Sequence, residues 1–261
     1  RMEDNFALPP IEAFEAAITE KTKAILICSP NNPTGYIYSE AELLFLLELC
    51  KKHDLFLVSD EVYREFCYDG HTFVSALSFP EYAEYVVCLD SFSKRYSMCG
   101  ARVGAFVSRN KEVIANAYKL SQARLCPPEI EQVAAHAALA TDDSYLLEVR
   151  DEYQRRRDVI VEGLQQIDGV VCSTPIGAFY LVVELPVDDA ERFAIYMLND
   201  FNLEGKTVMV APCEHFYITP KIGRKQVRMA YVLKEEDLKE ALACLDAGLK
   251  AYRREVLKKA E

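Results

Sequence analysis

Short apolar runs alternate with helical patterns over the first two-fifths of the chain. Residues 24–29 (AILICS) form a continuous apolar run, the pattern of a strand buried on both faces. A turn-rich stretch, SPNNPTG at 29–35, follows it. Ser39 then stands three residues before Glu42, the spacing of a capping box, and predicts a helix to about His53. Residues 55–59 (LFLVS) read as a second buried strand. Strand, turn, helix and strand in that order make a parallel, right-handed crossover the default. Residues 86–89 and 104–107 read as two further strands, so the pattern predicts an α/β fold, a mostly parallel sheet sandwiched by helices.

The middle of the chain is helical in pattern. Pro127-Pro128 can open a helix but not sit inside one, and 129–140 and 144–167 read as helices. The charged run Arg155, Arg156, Arg157 and Asp158 reads as a solvated face of the longer one. The last third changes character. Residues 178–185, 208–211 and 227–231 read as strands, 188–201 as an amphipathic helix, and 235–258 as a closing helix whose late lysines suit the helix dipole. This points to a smaller C-terminal α+β domain, with 1–150 and 151–261 as the two parts and their boundary inside the long helix.

Composition narrows the function classes. The 261 residues are 51% hydrophobic, 27% charged and include ten glycines and eleven prolines, which excludes a disordered or collagen-like chain. Thirty basic against 41 acidic residues give a net charge of −11, which disfavours nucleic acid and anionic membranes as partners. No apolar run nears the roughly 20 residues of a membrane span, and the polar opening residues 1–5 read as no secretory leader. Nine scattered cysteines, odd in number and without a CxxC pair, read as reduced side chains in a cytoplasmic protein. The histidines at 53, 71, 136 and 215 lack metal-ligand spacing, so no metal is expected, and there is no GxGxxG or Walker A sequence. Cys213-Glu214-His215 is set aside as a thiol–imidazole pair because adjacent loop residues rarely face each other.

In open parallel sheets, ligands bind beyond the carboxyl ends of the strands. Three successive predicted strand ends carry unusual polar groups: Asn31-Asn32-Pro33-Thr34-Gly35, then Asp60-Glu61-Val62-Tyr63, then Ser91-Phe92-Ser93-Lys94 with Gly100 and Arg102 behind it. Each alone has an ordinary explanation as a turn, a cap or a surface lysine. Together, and with GAFY at 177–180 and VRMAYV at 227–232, the set resembles the pyridoxal-phosphate-dependent class I aminotransferases of the aspartate aminotransferase superfamily, fold type I. The resemblance runs in the family's order from about residue 20 to the end. The wording at 123–128 and 207–212 is similar to bacterial aspartate aminotransferases.

The resemblance implies a set of roles. Lys94 would form the Schiff base with pyridoxal 5'-phosphate and move the proton at the substrate α-carbon. Asp60 would keep the pyridine nitrogen protonated. Asn32 and Tyr63 would bond the ring's phenolic oxygen, and Ser91, Ser93 and Arg102 would hold the phosphate. Arg228 would clamp the substrate α-carboxylate with its planar fork, and Asn32 would also face substrate. Without the family match, Arg228 reads as an ordinary strand arginine in an ion pair, and Arg124 reads as either a substrate contact or a surface residue. The resemblance also implies a cis Asn32–Pro33 peptide, where trans is the default for X-Pro.

The implied activity transfers an α-amino group from an amino acid, expected to be aspartate, to a 2-oxo acid, expected to be 2-oxoglutarate, in a homodimer. Family members have over a hundred further residues before the NPTG-type turn, supplying more of the cofactor site. The chain is therefore expected to be a fragment, comprising part of the large cofactor-binding domain and the C-terminal part of the small one, with weak or no activity of its own. Two alternatives remain open: a lyase or decarboxylase on the same scaffold, and a non-catalytic aminotransferase-like ligand-binding module.

Overall fold

The computed structural model describes Met2 and residues 5–257. Helix α1 (Ile11–Ala17) leads into strand β1 (Ala24–Cys28), helix α2 (Glu40–His53) and strand β2 (Phe56–Asp60). Strand β3 (Val86–Ser91), the short helix α3 (Phe92–Arg95) and strand β4 (Gly104–Val107) complete a first sheet of order β1-β2-β3-β4. The first three strands are parallel and β4 runs antiparallel to β3. The α/β reading and the crossover through α2 hold. Ser39 and Glu42 form the capping box reciprocally, and Asp54 closes α2 in the left-handed region.

One face of this sheet is packed. Ile27, Leu57 and Val86 meet Leu43, Leu46, Leu47 and Cys50 of α2 in one apolar cluster. The expectation that β1 is buried on both faces fails, because Leu26, on the other face, is 72% exposed. All four residues of the edge strand β4 are exposed as well. A continuous apolar run reports what a strand can tolerate on both sides; it does not supply the second covering layer.

Three helices then run in succession, α4 (Lys111–Arg124), α5 (Glu129–Ala138) and the long α6 (Asp143–Gln165). The second sheet is antiparallel, of order β5-β6-β8-β7, from β5 (Val171–Cys172), β6 (Tyr180–Glu184), β7 (Ala211–Pro212) and β8 (Gln226–Ala230). Helix α7 (Ala190–Asn199) lies between β6 and β7, and α8 (Glu235–Tyr252) follows β8. The strand expected at 208–211 is reduced to the two-residue β7. Helix α8 gives way to a turn of π-helix at Arg253–Leu257, and Lys258, the predicted helix end, lies outside the described residues.

The larger core joins the two sheets' surroundings. Tyr63, Phe66 and Tyr68, from the segment after β2, pack with Leu164 of α6, Leu181 of β6, Phe193 of α7 and Leu245 of α8. The charged run on α6 is not wholly solvated, as the sequence had suggested. Arg157 is buried, its guanidinium paired with Asp69 and Asp158 and donating to the Pro175 carbonyl at 3.2 Å. Two partners distant in sequence, Asp69 and Pro175, make burial of the charge tolerable, and the helical pattern does not reveal them.

Candidate active site

Strand register brings the predicted polar groups together. Cys28 pairs with Asp60 and Asp60 with Leu89, so β1, β2 and β3 end side by side. Beyond β1 the chain folds back tightly: Gly35 N donates to Asn31 O at 2.8 Å, and Asn31 Oδ1 accepts from the Thr34 amide and hydroxyl at 3.2 and 2.9 Å. The Ser29–Pro30 and Asn32–Pro33 bonds are cis. Gly35 has φ +71°, and an added Cβ would lie 2.3 Å from Pro175 Cβ, so only glycine lets this turn rest against 175–177.

Asp60 ends β2. Its Oδ1 accepts the Val62 amide at 3.2 Å. Burial raises the carboxyl pKa above its ordinary value, Asp90 and Glu61 add to the rise, and the nearby Lys94 charge opposes it. Glu61 is fully buried and takes Ser59 Oγ, Ser75 Oγ and the Ala76 amide at 3.0, 2.7 and 3.0 Å, which fixes the segment that carries Asp60 and Tyr63.

Ser91 ends β3 and caps α3. Its Oγ accepts the Ser93 amide at 3.0 Å and donates to Val103 O at 3.2 Å. That short helix aims Lys94 at the aromatic cluster: Nζ lies 5.9 Å from the Tyr63 ring centre and 5.8 Å from that of Phe179. Arg95, next in sequence, turns the other way to Asp90, 2.8 Å from its Oδ2.

The longest link runs through Asn32. Its Nδ2 donates to the Tyr63 hydroxyl at 3.4 Å, and its Oδ1 accepts from Arg228 Nη1 at 3.3 Å, across 196 positions of sequence. The buried Tyr63 hydroxyl has its pKa raised, chiefly by burial and then by the neighbouring Tyr180 hydroxyl, with Asn32 opposing. Burial likewise pushes the Cys28 thiol up to about 12, which makes it an inert neighbour of the site.

Asn32, Asp60, Tyr63, Lys94 and Arg228 thus converge from both halves of the chain. Ser91 and Ser93 adjoin Lys94 through α3. Arg102 is set apart: it is exposed, sits in the left-handed region at φ +56°, and donates from Nη1 to Cys99 O at 3.0 Å. Tyr180 and Phe216, whose ring centres lie 5.1 and 5.4 Å from the Arg228 guanidinium carbon, had no assigned role in the sequence reading. GAFY was legible as a motif, but only the pairing of β6 with β8 tells which residue Tyr180 meets.

The donor set fits pyridoxal phosphate: an amine, a half-buried carboxyl, a phenol and a carboxamide are neighbours, with serine hydroxyls on the adjoining α3, while the Arg102 guanidinium stands apart. Comparison with known proteins points the same way. Residues 3–245 match the family model described as aminotransferase class I and II. An aspartate aminotransferase of Rhizobium meliloti (strain 1021) is 36% identical over 251 residues, 91% of this chain and 59% of the relative. The solved aromatic aminotransferase of Pyrococcus horikoshii OT3 superposes with a TM-score of 0.85 at 31% identity, over 97% of this chain and 66% of that one. The aspartate aminotransferase of Thermus thermophilus solved with maleate gives 0.82 at 32% identity, over 94% and 62%. The chain therefore spans about three-fifths of the length of the curated relatives it matches. Members of this family use pyridoxal phosphate. With strand-end geometry, donor set and sequence in agreement, the chain belongs to the class I and II aminotransferases.

Proposed function

We propose that this site transfers an α-amino group between an amino acid and a 2-oxo acid, with aspartate and 2-oxoglutarate as the substrate pair. The observation that carries the reading is the continuous link Arg228–Asn32–Tyr63, with Lys94 beside the same tyrosine ring. The names of several relatives support the choice of aspartate.

Pyridoxal phosphate, when bound, supplies an electron-withdrawing ring that stabilises negative charge at the substrate α-carbon. Lys94 is the amine that would hold its aldehyde and then carry the proton at that carbon. Asp60 would hold the proton on the ring nitrogen; its raised pKa reflects a buried carboxyl that gains from a cationic partner. Asn32 and Tyr63 would donate to the phenolic oxygen. Ser91, Ser93 and Arg102 would receive the phosphate, Arg102 leaving its contact with Cys99 O to do so. Arg228 would take the α-carboxylate by its two parallel donors.

The two-part division near residue 150, a homodimer and a cytoplasmic setting belong to the same proposal. Among the described residues no helix is long and apolar enough to cross a membrane. The test is to mix the protein with pyridoxal phosphate and aspartate and follow formation of the pyridoxamine form, with regeneration by 2-oxoglutarate; for a chain of about three-fifths of its relatives' length, weak turnover or none is the expected result. Release of ammonia and an oxo acid without need of an acceptor would instead identify a lyase.

A further inference from the structure

We propose that Tyr180 and Phe216 are positioning residues that hold the Arg228 guanidinium in its carboxylate-binding orientation, Tyr180 from within the fold and Phe216 from its rim. The inference rests on the reading of Arg228 as the carboxylate clamp and adds what aims it.

Register places the inner ring. In the β6–β8 pairing, Val182 stands opposite Arg228 and Tyr180 opposite Ala230, so Tyr180 and Arg228 are diagonal neighbours on one sheet face. Aromatic side chains span such diagonals, and the observed separation is 5.1 Å from guanidinium carbon to ring centre, within cation–π range. Tyr180 also stands edge-on to Tyr63, with ring centres 5.8 Å apart and planes at 89°. Its ring therefore touches both the residue that receives Asn32 and the residue that Asn32 receives.

The backbone before Tyr180 is held firmly. Ala178 is fully buried with φ +58°, a left-handed conformation that alanine adopts only under constraint. Its carbonyl accepts the hydroxyls of both Tyr231, at 3.1 Å, and Tyr68, and its amide donates to Phe66 O at 2.9 Å. Tyr231 N donates to Phe179 O at 3.2 Å. These bonds set the direction in which β6 starts and hence where the Tyr180 ring lies.

The outer ring is different. Phe216 ends a short 3-10 turn, Glu214–Phe216, and is 49% exposed, yet its ring centre lies 5.4 Å from the Arg228 guanidinium carbon. An arginine side chain that is free to rotate loses rotamer entropy when a ligand fixes it. Two flanking rings and the Asn32 bond remove much of it beforehand, which raises carboxylate affinity without adding a contact to the ligand.

The experiment titrates maleate into the protein without cofactor and follows the Arg228 Nε–Hε NMR signal, assigned by its loss in Arg228→Lys. In the wild type the signal moves on titration. Tyr180→Leu weakens maleate binding by about tenfold, and Tyr180→Phe, which keeps the ring, restores it to within about twofold. Phe216→Leu, at a half-exposed position, weakens it by about threefold with unchanged thermal unfolding. It decides the matter should Tyr180→Leu fail to fold. Maleate affinity unchanged in either leucine variant that folds, or an Arg228 signal unmoved by maleate in the wild type, overturns the proposal. Borohydride labelling of Lys94, measured separately with pyridoxal phosphate, reports on the aminotransfer reading alone.

Discussion

Arg157→Ala tests how the site's two halves are tied together. The arginine side chain is 4% exposed, lies 5.1 Å from the Tyr68 ring centre, and bonds Asp69, Asp158 and Pro175 O. Tyr68 in turn holds the Ala178 carbonyl, and Pro175 abuts the Gly35 turn. Asp69 and Asp158 are 44% and 46% exposed, so both stay hydrated after the arginine is removed, and each pair contributes at most about 1 kcal/mol. The buried bond to Pro175 O is lost, at about 1–3 kcal/mol, and the ring contact at about 1 kcal/mol. The guanidinium's own desolvation cost is relieved and offsets part of this. The net expected loss is about 2–4 kcal/mol, with Arg157→Met losing about half because its stem still packs. At about 2–4 °C per kcal/mol for a chain approaching this size, the alanine variant melts roughly 5–15 °C lower. Urea unfolding followed by circular dichroism measures the loss as a lower midpoint at constant slope. An alanine variant within about 0.5 kcal/mol of wild type, or a methionine variant as damaged as alanine, would refute the reasoning.

The same pair predicts a pH dependence. Hydrogen bonding to Arg157 holds the Asp69 carboxyl below its ordinary value of 3.8, so the pair's stability is present above that pH and is lost as pH falls through the folded-state pKa. The stability gap between wild type and Arg157→Met should therefore narrow on acidification below about pH 4 in urea titrations; a gap that widens there contradicts the assignment. Gly35→Ala must place a Cβ 2.3 Å from Pro175 Cβ at φ +71°, and should cost about 2–4 kcal/mol by the same assay. Asp60→Asn removes a half-buried charge beside Asp90 and Glu61. It should leave thermal unfolding of the cofactor-free protein unchanged or higher, while weakening pyridoxal phosphate binding, read by absorbance, at least about tenfold. A lower melting temperature would contradict that account.

What the sequence disclosed followed the range of the forces involved. The capping box at Ser39 and Glu42 is a local device, and it formed as spaced. The strand ends carrying Asn32, Asp60 and Lys94 were legible because apolar runs set the strands and parallel pairing aligns their ends. The solvation of a single residue was less legible. Leu26 has the hydrophobicity of a core residue and is 72% exposed, because burial depends on a second layer that a strand's own pattern does not encode. Arg157 failed in the opposite sense: its helix face looked solvated, and its burial depends on Asp69, 88 positions away. The link from Asn32 to Arg228 had no periodic signature at all: the family resemblance put each residue at the substrate, and only the fold shows them bonded to each other. Tyr180 belonged to a quoted motif, yet its part in aiming Arg228 needed the β6–β8 register.

The central claim is that the amine of residue 94 is the group to which the cofactor attaches. Reduction of the protein with borohydride in the presence of pyridoxal phosphate, followed by peptide mapping, tests it most directly. The account predicts a single dominant label on Lys94, lost in Lys94→Ala and diminished in Asp60→Asn. Labelling spread over surface lysines, or concentrated on one other than Lys94, would contradict it.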